Sequence, residues 1–223
     1  MLANEDLVSA SADKTIKIWN INKGTLTRTL EGHTKSVRSL VLFENGDLVS
    51  ASSDHSIKIW NILDGSTKRT LTGHTDAVCS LVLLNNGDLA SGSYDKTIKI
   101  WDADNGTVKR TLTGHKSGIN KLSLLENGHL VSGSADYTIK IWNIEDGSVK
   151  RTLHGHTKSV DALVVLNNGD LISGSGDGTI KIWDVENGTI KKDIEADSEV
   201  NSLVALPNGD LISGFDESIT IWV

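Results

Sequence analysis

An all-β fold assembled from tandem copies of one unit is predicted by three observations. Tryptophan recurs at Trp19, Trp60, Trp101, Trp142, Trp183 and Trp222, four times at an interval of 41 residues and once at 39. A Gly-His pair keeps the same beat at Gly32-His33, Gly73-His74, Gly114-His115 and Gly155-His156. Between these marks short β-prone runs alternate with turn dipeptides, and no stretch carries helical periodicity. A fixed period of this length means one supersecondary unit copied along the chain.

The copy from Asp76 to Leu112 shows how each element is predicted. Val78 to Leu84 is apolar and β-prone, and Asn86-Gly87 after it is a strong hairpin signal. Leu89 to Ser93 reads as a second strand, Ser93 to Lys96 as a turn, and Thr97 to Trp101 as a third strand. Asn105-Gly106 predicts another hairpin, and Val108 to Leu112 the fourth strand. The single proline, Pro207, is expected inside a turn. Such a four-stranded antiparallel meander leaves both faces apolar, and stacking the copies radially buries them. The predicted fold is therefore a β-propeller of four-stranded antiparallel blades, about five and a half to six of them. It is read as one domain spanning residues 1–223.

The ends depart from the pattern. The first copy begins almost directly with its second strand, at Leu7, and the last stops at Trp222-Val223 after its third. The last copy also carries Ala196-Asp197 in place of Gly-His, and its Ser213 and Asp216 stand only three apart. About 22 strands result. Both partial blades hold a second and a third strand, so one terminus does not simply complete the other. Three readings stay open: a piece of a larger propeller, an imperfect six-bladed closure, or sheets completed by another chain through strand addition.

Composition narrows the function classes. Hydrophobic residues make up 38% of 223, ample for a globular core, and no run approaches the 18 apolar residues of a membrane span. Met1 to Asp6 has neither a basic region nor an apolar run, and Cys79 alone permits no internal disulfide. A cytoplasmic location is expected, with the nucleus as the alternative. The net charge of −7 disfavours nonspecific binding to nucleic acid or anionic lipid. Basic pairs recur at Lys68-Arg69, Lys109-Arg110, Lys150-Arg151 and Lys191-Lys192, and read as the solvated outer edge of each sheet. A basic belt for an acidic partner is the lesser reading.

The Gly-His pair followed by Ser-Gly-Ser-x-Asp-x-Thr-Ile-Lys-Ile-Trp, phased over Leu7 to Trp222, resembles the WD-repeat β-propeller family. Asp follows the tryptophan only at Asp102 and Asp184, and Asn20, Asn61 and Asn143 replace it elsewhere. The resemblance implies a buried hydrogen-bond chain of His, Ser, Asp and Trp in each blade. Four sets match: His33, Ser50, Asp54, Trp60; His74, Ser91, Asp95, Trp101; His115, Ser132, Asp136, Trp142; and His156, Ser173, Asp177, Trp183. The donors and acceptors of these side chains can satisfy one another.

The same residue types suggest a hydrolase triad, but a triad is built once, whereas this set occurs four times in phase with Trp. No nucleophile-elbow pattern is present, and Gly174 to Gly178 lacks a P-loop lysine. His154 and His156 lack further ligands nearby in sequence. No catalytic residue, metal or cofactor is expected. Asn105-Gly106-Thr107 and Asn187-Gly188-Thr189 match the glycosylation sequon but fall on hairpin turns.

Function is expected where the copies differ. In the first strand the residues flanking the buried Val or Ile change: Ser36 and Arg38, Ala77 and Cys79, Gly118 and Asn120, Ser159 and Asp161, Glu199 and Asn201. In the second-to-third-strand turn the residue before Asp changes: Ala12, Ser53, Tyr94, Ala135, Gly176, Phe215. The resemblance implies that such positions rim one flat face and bind peptides. Arg38, Cys79, Tyr94, Asn120, Asp161 and Phe215 are the candidate partner-binding residues. Arg38 suits a carboxylate or phosphate, Tyr94 and Phe215 are aromatic anchors, and Asn120 and Asp161 fix a polar group. Cys79 reads as a small packed residue before a reactive thiol. The leading function is a noncatalytic protein-interaction scaffold or adaptor. The alternative is a reader of ubiquitin or a modified peptide within a ubiquitin-ligase or signalling adaptor, although no Trp-Asp-x-Arg signature follows any of the first five tryptophans.

Overall fold

The structure is a computed structural model that describes residues 6–166, 168–206, 208–215 and 218–222. Those residues form 22 strands in six antiparallel sheets, all-β, each sheet a propeller-type blade. The expectations at Pro207 and Asp216 and at the chain end Val223 fall outside the described residues.

The first blade holds β1 (Leu7–Ala10), β2 (Ile16–Asn20) and β3 (Thr25–Leu30). The second holds β4 (Val37–Leu42), β5 (Leu48–Ser52), β6 (Ile57–Trp60) and β7 (Thr67–Leu71). The third runs through β8 (Val78–Leu83), β9 (Leu89–Ser93), β10 (Thr97–Trp101) and β11 (Val108–Thr113). The fourth has β12 (Ile119–Leu124), β13 (Leu130–Ser134), β14 (Ile139–Trp142) and β15 (Val149–Leu153). The fifth has β16 (Val160–Val165), β17 (Leu171–Ser175), β18 (Thr179–Asp184) and β19 (Thr189–Glu195). The sixth is three-stranded: β20 (Ser202–Ala205), β21 (Leu211–Gly214) and β22 (Ile219–Trp222). The strands are meanders, so every neighbour in a sheet is a neighbour in sequence. The chain divides into two compact units, Met1–Thr111 and Leu112–Val223.

Each blade has two unlike apolar faces, because a strand's side chains alternate between faces. One face carries the paired isoleucines of the third strand. The other carries the tryptophan and the leucine that opens the second strand. Within the first unit, Ile16 and Ile18 of the first blade pack on Val37, Leu48 and Trp60 of the second. Ile57 and Ile59 of the second then pack on Val78, Leu81, Leu89 and Trp101 of the third. Within the second unit, Ile139 and Ile141 pack on Val160, Leu163, Leu171 and Trp183, and Ile180 packs on Val200 and Leu211. The 41-residue beat of Trp is thus the beat of one repeated interface.

The recurrent basic pairs do lie on the outermost strands, but they are more than a solvated edge. Beside the third strand a bulge frees Lys68, Lys150 and Lys191 from the ladder, since Trp60, Trp142 and Trp183 pair with the residue before each lysine. Lys68 Nζ donates to both oxygens of Asp47 at 2.6 and 2.8 Å, Lys109 to Asp88 at 2.7 Å, and Lys191 to Asp170 at 2.5 Å. Lys150 reaches His129, which stands where the other copies have that aspartate, at 2.6 Å. The arginines bind the next blade. Arg28 donates to the Leu63 and Asp64 carbonyls, Arg69 to that of Asp104, and Arg151 to those of Glu186 and Asn187. Gly106 makes room for this: a Cβ there would stand 2.7 Å from both Arg69 Cδ and Leu71 Cδ2. A charged head that ends on neutral carbonyls joins hairpins without needing an acidic partner.

Candidate partner-binding site

The buried network sets the frame on which the variable residues stand. In the second blade Trp60 Nε1 donates to Ser50 Oγ at 2.8 Å, and His33 Nε2 lies 2.7 Å from the same oxygen. His33 Nδ1 lies 2.8 Å from Asp54 Oδ2. The third, fourth and fifth blades repeat it through Ser91, Ser132 and Ser173. One proton assignment satisfies every atom. Trp donates to Ser, the Ser hydroxyl donates to His Nε2, and His Nδ1–H donates to the carboxylate. Among the described residues no buried side-chain nitrogen or oxygen lacks a partner. The glycine before each histidine lets the indole approach the backbone, with Trp101 Cη2 only 3.3 Å from where a Cβ of Gly73 would stand.

The aspartates also shape the turn that carries the variable residues. Asp95 Oδ1 accepts from the Thr97 amide and hydroxyl at 2.9 and 2.7 Å, while Oδ2 accepts from the Thr75 amide at 3.1 Å. The next residue is left-handed, with φ of 71° at both His55 and Lys96. Burial pushes Asp54, Asp136 and Asp177 up, but the hydrogen bonds they accept outweigh it and hold them at about 2. Burial holds His33, His115 and His156 below their ordinary value despite the facing carboxylates.

Both shifts make the unfolded chain bind more protons in acid. Stability is therefore expected to fall as pH drops through 6.5, where the unfolded histidines charge, and again from 3.8 toward about 2 as the carboxylates protonate. A urea midpoint followed from about pH 8 to about pH 4 should decline, beginning near the histidine value. A midpoint flat across the histidine range contradicts neutral buried imidazoles.

The first strand of each complete blade carries a second bulge, and it falls on the variable residue. Val37 pairs with Ser52 and Ser39 with Ala51, which leaves Arg38 outside the ladder. Cys79, Asn120 and Asp161 occupy the same unpaired position in β8, β12 and β16. A bulge residue is released from pairing and re-aimed. The variable turn residue is tied beside it: the amides of Ser53, Tyr94, Ala135 and Gly176 donate to the carbonyls of Ser36, Ala77, Gly118 and Ser159, all at 2.9 Å. Two sets of positions far apart in sequence thus become one patch per blade.

In the first unit these patches join. Arg38 Nε donates to Ser53 Oγ at 2.6 Å, and its guanidinium carbon lies 5.7 Å from the Tyr94 ring centroid, across two blades. Cys79 lies in the same cluster, where burial pushes its thiol up to about 11, so it stays protonated and unreactive at neutral pH. Arg38 is exposed and carries no ion pair to a carboxylate among the described residues. The cluster offers a fixed cation beside an aromatic face.

In the second unit the chemistry has the opposite sign. Asn120 Nδ2 donates to Ser159 Oγ at 2.7 Å and Asp161 Oδ1 at 2.8 Å, and Ser159 Oγ donates to the same carboxylate at 2.8 Å. Burial and then the Glu199 charge raise the Asp161 carboxyl above its ordinary value. Lys158 pairs with Glu199 at 3.4 Å. Phe215, expected as an exposed anchor, is half-buried against the cluster of Ile172, Ile180, Val200 and Leu211. Its ring packs at the joint of the last two blades and stays partly accessible. Ser53, Ser159 and Glu199 join the clusters as hydrogen-bonding or charged partners. They stood among the variable positions, and variability was the signal that finds them. An apolar groove of about 570 Å³ lies at the other end of β16, lined by Val164, Leu166, Ala205 and Leu206 among others.

The family model described as "WD domain, G-beta repeat" matches residues 3–20, 24–61, 65–102, 106–143 and 147–184, well over half of the chain. The chain belongs to the WD40-repeat family. Each full-length match begins at the hairpin glycine before a blade's outermost strand and ends one residue past the tryptophan of the next blade, so the sequence repeat straddles the joint. The sixth copy is unmatched, in keeping with its lost Gly-His pair and shortened period. A stretch of 34 residues is 59% identical to Nuclear distribution protein PAC1 of Arthroderma otae, covering 15% of this chain and 7% of that protein. Stretches of 39 residues are 46% and 49% identical to Mitochondrial division protein 1 of Neurospora crassa and of Pyricularia oryzae. Each covers 18% of this chain and 6% of the relative. WD40 propellers typically serve as protein-interaction scaffolds, and the likeness to these relatives is confined to about one repeat.

Proposed function

We propose that this WD40 chain is a noncatalytic protein-interaction scaffold that takes extended peptide segments at its bulge clusters. One observation carries the reading: the positions that differ between copies are the residues a bulge releases and the turn residues tied beside them. The Arg38–Tyr94 cluster receives a carboxylate or phosphate side chain beside an aromatic face. The Asn120–Asp161 cluster receives a basic or amide-bearing segment. The four His-Ser-Asp-Trp sets hold the frame, since each serine is fully enclosed and its oxygen accepts the Trp N–H, which leaves no room for a substrate at the hydroxyl.

The test is capture of partners by wild type and by the Arg38→Glu, Tyr94→Ala, Asp161→Arg variant, with melting temperatures matched. These side chains lie outside the ladder, so the variant should keep its fold and lose its partners. Retention of the same partners moves the site away from the bulge clusters.

A further inference from the structure

The fourth blade departs from its siblings at one place on its outer edge. In the third blade Lys109 stands between two carboxylates, Asp88 at 2.7 Å and Asp102 at 3.4 Å. In the fifth, Lys191 holds Asp170 at 2.5 Å, with Asp184 at the position of Asp102. Lys68 of the second blade keeps Asp47 at 2.6 Å. The fourth blade has His129 and Asn143 at those two positions, and Lys150 donates to the His129 ring instead, at 2.6 Å. Lys150 is exposed and has no carboxylate partner among the described residues. The same exchange takes the acceptor from a second donor. Asn45, Asn86 and Asn168 each give an Nδ2 hydrogen to the edge aspartate, at 3.3, 3.0 and 3.1 Å. Asn127, their counterpart, has a histidine in that aspartate's place.

Asn127, His129, Lys150 and Arg151 together line a cavity of about 80 Å³ at the joint of the fourth and fifth blades, within the second unit. The Arg151 guanidinium ends on the neutral carbonyls of Glu186 and Asn187, so its charge is not compensated there either. Glu186 also lines the cavity, but its side chain is exposed and pairs with neither cation among the described residues. An ammonium carries three donors, and Lys150 spends one on His129. The imidazole accepts that hydrogen at Nε2, so its own proton sits on Nδ1. We infer that this notch binds a carboxylate side chain of an acidic peptide segment. Lys150 and Asn127 take it as their counterparts take Asp47, Asp88 and Asp170, and Arg151 supplies a second positive charge. The chain's net charge of −7 gives an acidic partner no long-range attraction, so capture depends on direct pairing in the notch. The notch shares no residue with the bulge clusters, so it stands or falls apart from the peptide-binding reading there.

Hexaglutamate is the probe. Titrated into the 223-residue chain, it should move the ring resonances of His129 to a saturating shift, and added salt should reverse it, because exposed charge pairs are screened. Arg38→Glu should leave that shift unchanged, which separates the notch from the Arg38 cluster. In the Arg38→Glu background, fluorescence anisotropy of labelled hexaglutamate then gives the affinity. His129→Asp installs the carboxylate that three sibling blades already accommodate, so the fold should stand while binding weakens about tenfold. Lys150→Gln removes the ammonium without adding a charge, and repeats the comparison should the aspartate variant fail to fold. Inorganic phosphate at equal ionic strength should not reproduce the His129 shift. A His129 ring that ignores hexaglutamate overturns the inference. So does affinity undiminished in both folded variants, or phosphate that moves His129 as far as the peptide does.

Discussion

Replacing Trp183 by alanine should destabilise the second unit by about 3–5 kcal/mol. The indole is 1% exposed and sits among Ile139, Ile141, Leu153, Val160, Leu163 and Leu171, at the joint of the fourth and fifth blades. Its removal opens a cavity that rigid strands on both sides cannot fill. Its N–H also leaves, so Ser173 Oγ loses the donor held at 2.7 Å. Trp183→Phe separates the two effects: most of the volume stays, and the lost hydrogen bond costs about 1–2 kcal/mol. Trp222, half-buried on the last blade, is the internal control, and its alanine variant should cost clearly less. Urea unfolding of the three variants decides. Equal costs at Trp183 and Trp222 would show that the joint contributes little.

Asp95→Ala should cost about 3 kcal/mol in the first unit. The carboxylate accepts from His74 Nδ1 at 2.7 Å, from the Thr75 and Thr97 amides and from the Thr97 hydroxyl. Alanine leaves the imidazole N–H and two amides without an acceptor in a site where the Asp95 side chain is only 7% exposed. The turn before Thr97 also loses the contact that holds Lys96 left-handed at φ 71°, a strained position for a residue with a Cβ. Tyr94 precedes Asp95 in that turn, so the aromatic wall of the Arg38 cluster should loosen with it. Asp95→Asn keeps one oxygen and should fall between wild type and alanine. A variant within about 0.5 kcal/mol of wild type would mean that the network does not restrain the turn.

Much of this molecule is legible in its repeat because the repeat is imposed by packing. In the third copy the strands expected at Leu89–Ser93 and Thr97–Trp101 are β9 and β10, and the strand expected at Val78–Leu84 ends one residue earlier. The two three-stranded terminal blades also follow from where the period starts and stops. The bulges were not legible. A strand that reads V-R-S-L or V-D-A-L shows no sign that its second residue is unpaired, because that depends on the register its neighbour takes. The variable residues could be found by comparing copies, but not which of them meet.

The sequence by itself determined the all-β class, the blade as the repeating unit and the side chains of the buried network. Each of these is fixed by local hydrophobic alternation, turn dipeptides and donor–acceptor matching within one period. The tertiary structure alone decided the rest. It gave Arg38 its Tyr94, 56 positions away in sequence, and set the half-buried Phe215 against the core of the last two blades. It also set the lysines of the exposed outer strands on Asp47, Asp88, His129 and Asp170 of their own blades, and Arg69 and Arg151 on hairpin carbonyls of the next. These outcomes depend on which strand of one blade reaches the next, and contacts across that joint leave no periodic trace in the chain.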